Sequence, residues 1–331
     1  MGEFMQQTTC ISLIVPVYNM IRYFPRCMKT LLTQSCSKFE IVLVDDGSTD
    51  GSDAMCDAYA EQHPEFIHVI HKANGGLSSA RNAGIDAARG EFIVFPDPDD
   101  WVEPEYVERF LEYQQRYEAD LVCTGFYVDT EGNSIPAKTD RPPVVLSGRA
   151  AQKTLLLPPE MGGFAWNKMY RLDIIRENRL RFMDDVGITE DLDFAYRYLA
   201  FCGTVCFAPS ARTYHYFQRE GAATRSVFSM RMLDSLHTYE KIIADCRQSM
   251  PDLAQAAQDE ICTTAVNLIW KYENARMKDP LTKKTLLGYI RKNLPAYLRG
   301  RKYGWGRKVQ AVLASICPGL YARLKNAVQR N

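Results

Sequence analysis

Three acidic clusters carry the residue types and spacings that could do chemistry: Asp45-Asp46, Asp97-Pro98-Asp99-Asp100 and Glu190-Asp191. Two carboxylates two residues apart, just past a strand, can grip one hard divalent cation through oxygen ligands. The competing use of Asp97–Asp100 is an acidic turn ahead of the helix that Pro104 opens. A carboxylate of ordinary pKa is ionised at neutral pH and can take a proton from a hydroxyl. At Glu190-Asp191 that role is compatible with the attraction of acids to a helix N-terminus. Gly75-Gly76 lets backbone come close to a ligand, and Arg81 offers a planar fork for oxygens. The plainer reading of both is a helix opening and a surface charge. Ten scattered cysteines contain no CxxC, which argues against a zinc site. The turn after the first apolar run reads Pro16-Val-Tyr-Asn-Met and lacks the glycines of a dinucleotide fingerprint.

These clusters need a frame that brings distant stretches together. Apolar runs at 11–17, 40–44, 66–70, 91–95 and 120–126 read as buried strands. Helical patterns separate them; the first places Phe24, Cys27, Met28, Leu31 and Leu32 on one face. Alternating strands and helices predict a mostly parallel sheet covered on both faces, with ligands beyond the carboxyl ends of its strands. Pro16/Tyr18, Asp45/Asp46 and Asp97/Asp99 all stand at such ends. Residues 130–143 read as a loop or hairpin, 164–208 as mixed structure, and 230–272 as mainly helical.

In order and spacing, Val15-Pro-Val-Tyr-Asn19, Val44-Asp-Asp-Gly-Ser-Thr-Asp50, Gly75-Gly-Leu-Ser-Ser-Ala-Arg-Asn82, Asp97-Pro-Asp-Asp100, Trp166-Asn-Lys-Met-Tyr170 and Glu190-Asp191 resemble a family 2 glycosyltransferase. The resemblance covers about 10–220 and is to the bacterial capsular or exopolysaccharide type. It implies an α/β GT-A (Rossmann-like) fold and inverting transfer of a hexose or N-acetylhexosamine from a UDP-sugar to an acceptor hydroxyl. By the same resemblance Asp99 is the ligand of a divalent metal, Mn²⁺ or Mg²⁺, and Asp97 reaches the ribose or the metal's water shell. Asp100 supports them, and Pro98 departs from the more common Ser. Asp45 or Asp46, with Asp46 favoured, accepts the uracil N3–H. Pro16 and Tyr18 line the base, and Gly75 and Arg81 complete the nucleotide contacts. Asp191 is the catalytic base, with Asp184 and Asp185 as fallbacks. Trp166, Asn167, Lys168 and Glu190 fall on the acceptor or donor-sugar side, although Trp166 is as readily core. His215, Arg219 and Arg225 are assigned to the diphosphate; His215 could complete the metal shell, but a lone histidine is more often structural.

The chain has 331 residues, 46% hydrophobic and 24% charged, which excludes disorder, collagen and coiled coil. Its formal charge of zero hides an asymmetry. From Pro280 to Asn331 there are 12 Lys/Arg and no Asp/Glu, leaving 28 basic and 40 acidic residues before it. Residues 1–9 read as a tag or disordered leader, 10–228 as the catalytic domain, and 229–331 as a helical region. Within that region 280–331 is a basic amphipathic tail, with stripes through Leu286, Ile290 and Leu294, through Val309 and Ile316, and through Leu320, Leu324 and Val328. The tail is expected on an anionic membrane surface rather than on nucleic acid, or packed as helices on the acidic body. The expected setting is the inner face of the cell membrane, with a lipid-linked glycan acceptor. A homo-oligomer is compatible with this pattern. No run of 18 apolar residues is present. The alternative function is a non-catalytic nucleotide-sugar-binding partner subunit, which would not need Asp191.

Overall fold

The computed structural model describes residues 10–137, 139–156, 161–184, 188–219 and 228–330. Two compact units divide it: Met1–Asp184 with Glu190–Arg219, and Asp185–Thr189 with Glu220–Asn331.

In the first unit, β1 (Ile11–Val17), β2 (Phe39–Asp45) and β3 (Ile67–His71) alternate with α1 (Phe24–Leu31), α2 (Ser52–Gln62) and α3 (Leu77–Ala87). Then come β4 (Phe92–Val94), β5 (Trp101–Val102), α4 (Tyr106–Tyr117), β6 (Leu121–Thr130), β7 (Asn133–Pro136), β8 (Val144–Ser147) and α5 (Gly148–Leu155). The unit closes with β9 (Lys168–Arg171), α6 (Leu172–Glu177), α7 (Glu190–Leu199) and β10 (Thr204–Phe217).

The sheet runs β3-β2-β1-β4-β9-β6-β10-β5, with β7 paired to β6 and β8 to β10. Its first four strands are parallel, as expected. Beyond them the sheet is mixed, because the short β9 enters antiparallel between β4 and β6. The 130–143 stretch opens with the hairpin of β6 and β7, turning at Gly132.

β1 and β2 are buried along their whole length, so their sequences are continuous apolar runs. α1 buries Phe24, Cys27, Met28 and Leu31, the predicted face. α3 lies close on β1 because Gly84 has no side chain: a Cβ there would stand 2.2 Å from Ile14 Cγ2.

The second unit holds α8 (Asp234–Ser249), α9 (Pro251–Asn274), α10 (Pro280–Arg299), α11 (Trp305–Ile316) and α12 (Pro318–Arg330). Asp279 caps α10 by accepting the N–H groups of Leu281 and Thr282. The first stripe of the basic tail is core: Leu286, Ile290 and Tyr297 are buried, and α10 packs on α9. Residues 280–299 therefore form a helix of the bundle rather than a free surface tail, with Leu286, Ile290 and Tyr297 turned inward and Leu281 and Leu298 exposed. Among the described residues no helix is long and apolar enough to cross a membrane.

Candidate active site

The carboxyl ends of β1, β2 and β3 form one rim, with Val17, Asp45 and His71 in register across the three strands. Pro16, expected to line the base, is buried within β1, whereas Tyr18 is exposed. Asn19 has φ 52°, and its Oδ1 accepts the Thr49 N–H at 2.8 Å. Ser48, Ser52 and Asp50 accept the N–H groups of Asn19, Met20 and Ile21. These bonds join the segment after Tyr18 to the loop after β2, and give Ser48 and Asp50 structural work.

Asp46 Oδ1 accepts Lys72 Nζ at 2.6 Å and the Gly75 N–H at 3.0 Å, and Oδ2 accepts the Gly76 N–H at 2.7 Å. Gly76, at φ 86°, aims that N–H from the start of α3. A carboxylate offers about four lone-pair positions; three are taken here, and Asp46 is itself buried. Asp45 accepts the Ser48 N–H at 2.9 Å and contacts His71 Nδ1 at 3.0 Å, while His71 Nε2 meets Asp57 at 2.9 Å. Bonding to both carboxylates holds the His71 pKa above its ordinary value. Lys72 and His71 were missed from the sequence; the signal was their position at the end of β3, facing the first acidic cluster, Asp45-Asp46.

At the end of β4, Asp100 is buried and accepts the Tyr214 hydroxyl at 2.6 Å and the Phe217 N–H at 2.7 Å. It braces the turn. Asp97 and Asp99 still reach solvent, with side chains 24% and 18% exposed. Asp99 accepts Arg219 Nε at 2.6 Å.

Arg81 corrects an expectation. It is buried rather than presented to a ligand. Its guanidinium bonds Asp97 at 3.0 Å, bonds Asp191, and lies 3.5 Å from Glu190. One cation thus joins the β4 turn to the start of α7 and faces three carboxylates. Burial, then the Asp99 and Asp191 charges, push the Asp97 pKa up to about 7 against the pull of Arg81. Burial and the Asp191 charge do the same to Glu190, also to about 7.

Trp166, Asn167 and Lys168 are buried too and do not present themselves to a sugar. Trp166 stacks on Tyr214 with ring centroids 4.4 Å apart. Asn167 donates to the Thr124 carbonyl at 3.1 Å. Lys168 Nζ donates to the carbonyls of Gly162 and Phe164 at 2.8 and 2.7 Å and to Asn167 Oδ1 at 2.9 Å. The motif shapes the segment before it, whose Ala165 N–H donates to Asp191 at 3.1 Å. Replacing Lys168 by Met leaves those carbonyls without a donor, so a stability loss of about 1–3 kcal/mol is expected in urea denaturation. The kcat should fall with little change in KM. An unchanged kcat would separate Lys168 from the placement of Asp191.

His215 is not available to a metal. Its ring is sandwiched by Trp101 and Tyr127, and its two nitrogens meet Asp129 at 3.0 Å and Glu103 at 2.9 Å. Asp184 is exposed. Asp185 and Arg225 lie outside the described residues.

The pattern of Glycosyl transferase family 2 matches residues 12–179. The chain belongs to this family. It is 36% identical to the putative glycosyltransferase EpsH of Bacillus subtilis (strain 168), over 63% of this chain and 61% of EpsH. It is 27% identical to the glycosyltransferase GlyA of Streptococcus pneumoniae serotype 4, over 93% of this chain and 46% of GlyA. The chain thus spans about half to three fifths of these relatives. Its fold matches that of S. aureus TarS 1-349 in complex with UDP-GlcNAc, with a TM-score of 0.67, 18% identity, and coverage of 97% of this chain and 91% of that one. That likeness carries the GT-A-type architecture, a sheet flanked by helices.

Asp97 and Asp99, after β4, are the residues that could hold a divalent metal. Among the described residues no group of three or more His, Cys, Asp or Glu side chains is arranged to hold an ion. A small hard cation does not require one: it is commonly held by one or two carboxylates and completed by phosphate oxygens and water. Asp97 and Asp99 supply such a pair.

Proposed function

We propose that this family member is an inverting, metal-dependent glycosyltransferase that moves a hexose or N-acetylhexosamine from a UDP-sugar to a hydroxyl of a lipid-linked glycan. The observation that carries the reading is the Arg81 bridge between Asp97 and Asp191, which couples a nucleotide-side carboxylate to a base. The UDP complex of TarS supports the donor class, and the name of a further relative, the minor teichoic acid biosynthesis protein GgaB, supports glycan assembly.

Asp99 and Asp97 would hold the metal, which neutralises the leaving diphosphate when bound. Asp46 accepts the uracil N3–H with its remaining lone pair, Tyr18 packs on the base, and the exposed backbone at Gly75 closes the contact. Asp191 takes the proton of the acceptor hydroxyl as its oxygen attacks. Arg81 and the Ala165 N–H donate to Asp191 and fix its orientation. Attack opposite the leaving group inverts the anomeric carbon. Arg219, which pairs with Asp99, would follow the charge to the diphosphate.

A thermal-shift screen of UDP-, GDP-, CDP- and dTDP-sugars with Mn²⁺ or Mg²⁺ tests the reading. A UDP-sugar at a hundred times its Kd should stabilise the fold by about 2.7 kcal/mol, more than any other nucleotide sugar, and chelator should reverse much of the shift. No response to any UDP-sugar would overturn the donor assignment.

A further inference from the structure

Helices α11 and α12 bury mostly small residues and leave many of their bulky apolar residues exposed, with Val312 and Leu313 half-buried. Ala311, Ala314 and Ser315 of α11 and Ala322 of α12 are buried, with Tyr321 the one large exception. The two helices lie against α9, and α11 also against α10. Trp305, Val309 and Ile316 are 79%, 61% and 74% exposed, and Leu320, Leu324 and Val328 are 46%, 51% and 77% exposed. Residues 320, 324 and 328 recur at the four-residue spacing of one helix face. A stripe of this kind ordinarily faces a core; exposed, it marks a surface that something covers.

The charge around the stripe selects the occupant. Arg307 and Lys308 lie on α11 and Arg323 and Lys325 on α12, within a segment that has 12 Lys/Arg and no acid. Ion pairs bind Lys283, Lys292 and Lys302 to Glu273, Glu240 and Glu260, all before α11. Among the described residues, none of Arg307, Lys308, Arg323 and Lys325 forms an ion pair with a carboxylate; Lys308 donates to the carbonyls of Leu298 and Gly300, and Lys325 to Asn267. A second copy of this chain would bring the same positive charge to the interface, and like-charge juxtaposition is unfavourable. Nucleic acid would satisfy the charges and leave the stripe in water.

We propose that the α11–α12 face docks on an anionic lipid bilayer. The stripe enters the boundary between headgroups and acyl chains, and the exposed Arg307 and Arg323 lie at the lipid phosphates. The inference rests on the second unit alone and does not depend on the transferase reading.

The test is co-sedimentation of the full chain with vesicles of phosphatidylcholine alone and of phosphatidylcholine mixed with phosphatidylglycerol. Binding is expected to the mixed vesicles only and should weaken with salt. The triple variant Val309→Glu, Leu320→Glu, Leu324→Glu should lose binding by roughly tenfold or more, because it removes buried apolar area and repels the anionic surface. Arg307→Gln with Arg323→Gln should lose the preference for phosphatidylglycerol. All substituted positions are exposed, so far-UV circular dichroism should be unchanged. Wild-type protein that stays in the supernatant, or a triple variant that binds as wild type, would overturn the proposal. So would light scattering that finds a dimer abolished by the triple variant, which would make the face a contact between copies.

Discussion

Replacing Asp191 by Asn is expected to lower turnover about a thousandfold, within the ~10²–10⁴ range of general-base losses, while UDP binding persists. The substitution keeps the size of the side chain. Asp191 accepts from Arg81 on one oxygen and from the Ala165 N–H on the other. An Asn can accept only one of these donors and must turn its NH₂ toward the other, so a modest loss of order at the site accompanies the loss of the base. The proposed nucleotide contacts at Tyr18, Asp46 and Gly75 lie on other elements and should be untouched. Turnover against the preferred UDP-sugar, measured beside UDP binding by calorimetry, decides the matter. Retained turnover would refute the base assignment. Wild-type protein that binds UDP-sugars but turns none over, with the variant indistinguishable from it, would favour a binding-only partner subunit.

The second large effect is expected at Arg81. Arg81→Met leaves Asp97, Glu190 and Asp191 without their shared cation, and removing one partner of a buried ion cluster typically costs about 3–5 kcal/mol. The loss should depend on pH. Asp97 and Glu190 have folded-state pKa values raised to about 7, well above their ordinary values near 4. A raised folded pKa means that the native state binds protons more tightly, so the associated stability is complete below the unfolded pKa and is lost as pH rises through the folded one. In the wild type this loss falls between about pH 4 and 7. Without Arg81 both values rise further and the window extends upward. Urea denaturation of the variant at pH 5.5 and pH 8 should therefore show the smaller deficit, relative to wild type, at the acidic pH. An equal deficit at both would mean that Arg81 contributes packing rather than charge compensation.

What could be read in the sequence followed from short-range physics. Continuous apolar runs are enough to mark β1 and β2, and the spacing of Phe24, Cys27, Met28 and Leu31 marks the buried face of α1. The turn residues around Gly132 mark a hairpin. The acidic clusters were legible because carboxylates at successive strand ends have few other uses. Burial of charge was not legible. Arg81 looks like a surface or ligand-facing cation until its partner Asp191, 110 positions away, is brought against it. Lys168 is buried because carbonyls of a preceding loop turn toward it, and nothing in Trp166-Asn-Lys168 announces that. His215 is enclosed by groups from two other strands and the turn after β5. In the tail, periodicity alone gave the same expectation for three stripes; tertiary packing buried the first and left much of the other two in water.

Gly84 sits one turn beyond Arg81 on α3, and both are buried on the face turned to the sheet. With no Cβ at 84, the helix axis can come down onto Ile14. The depth at which the guanidinium meets its carboxylates is therefore set by an absent methyl group rather than by any charged residue. A position that touches no substrate thus acts as the spacer for the whole electrostatic centre.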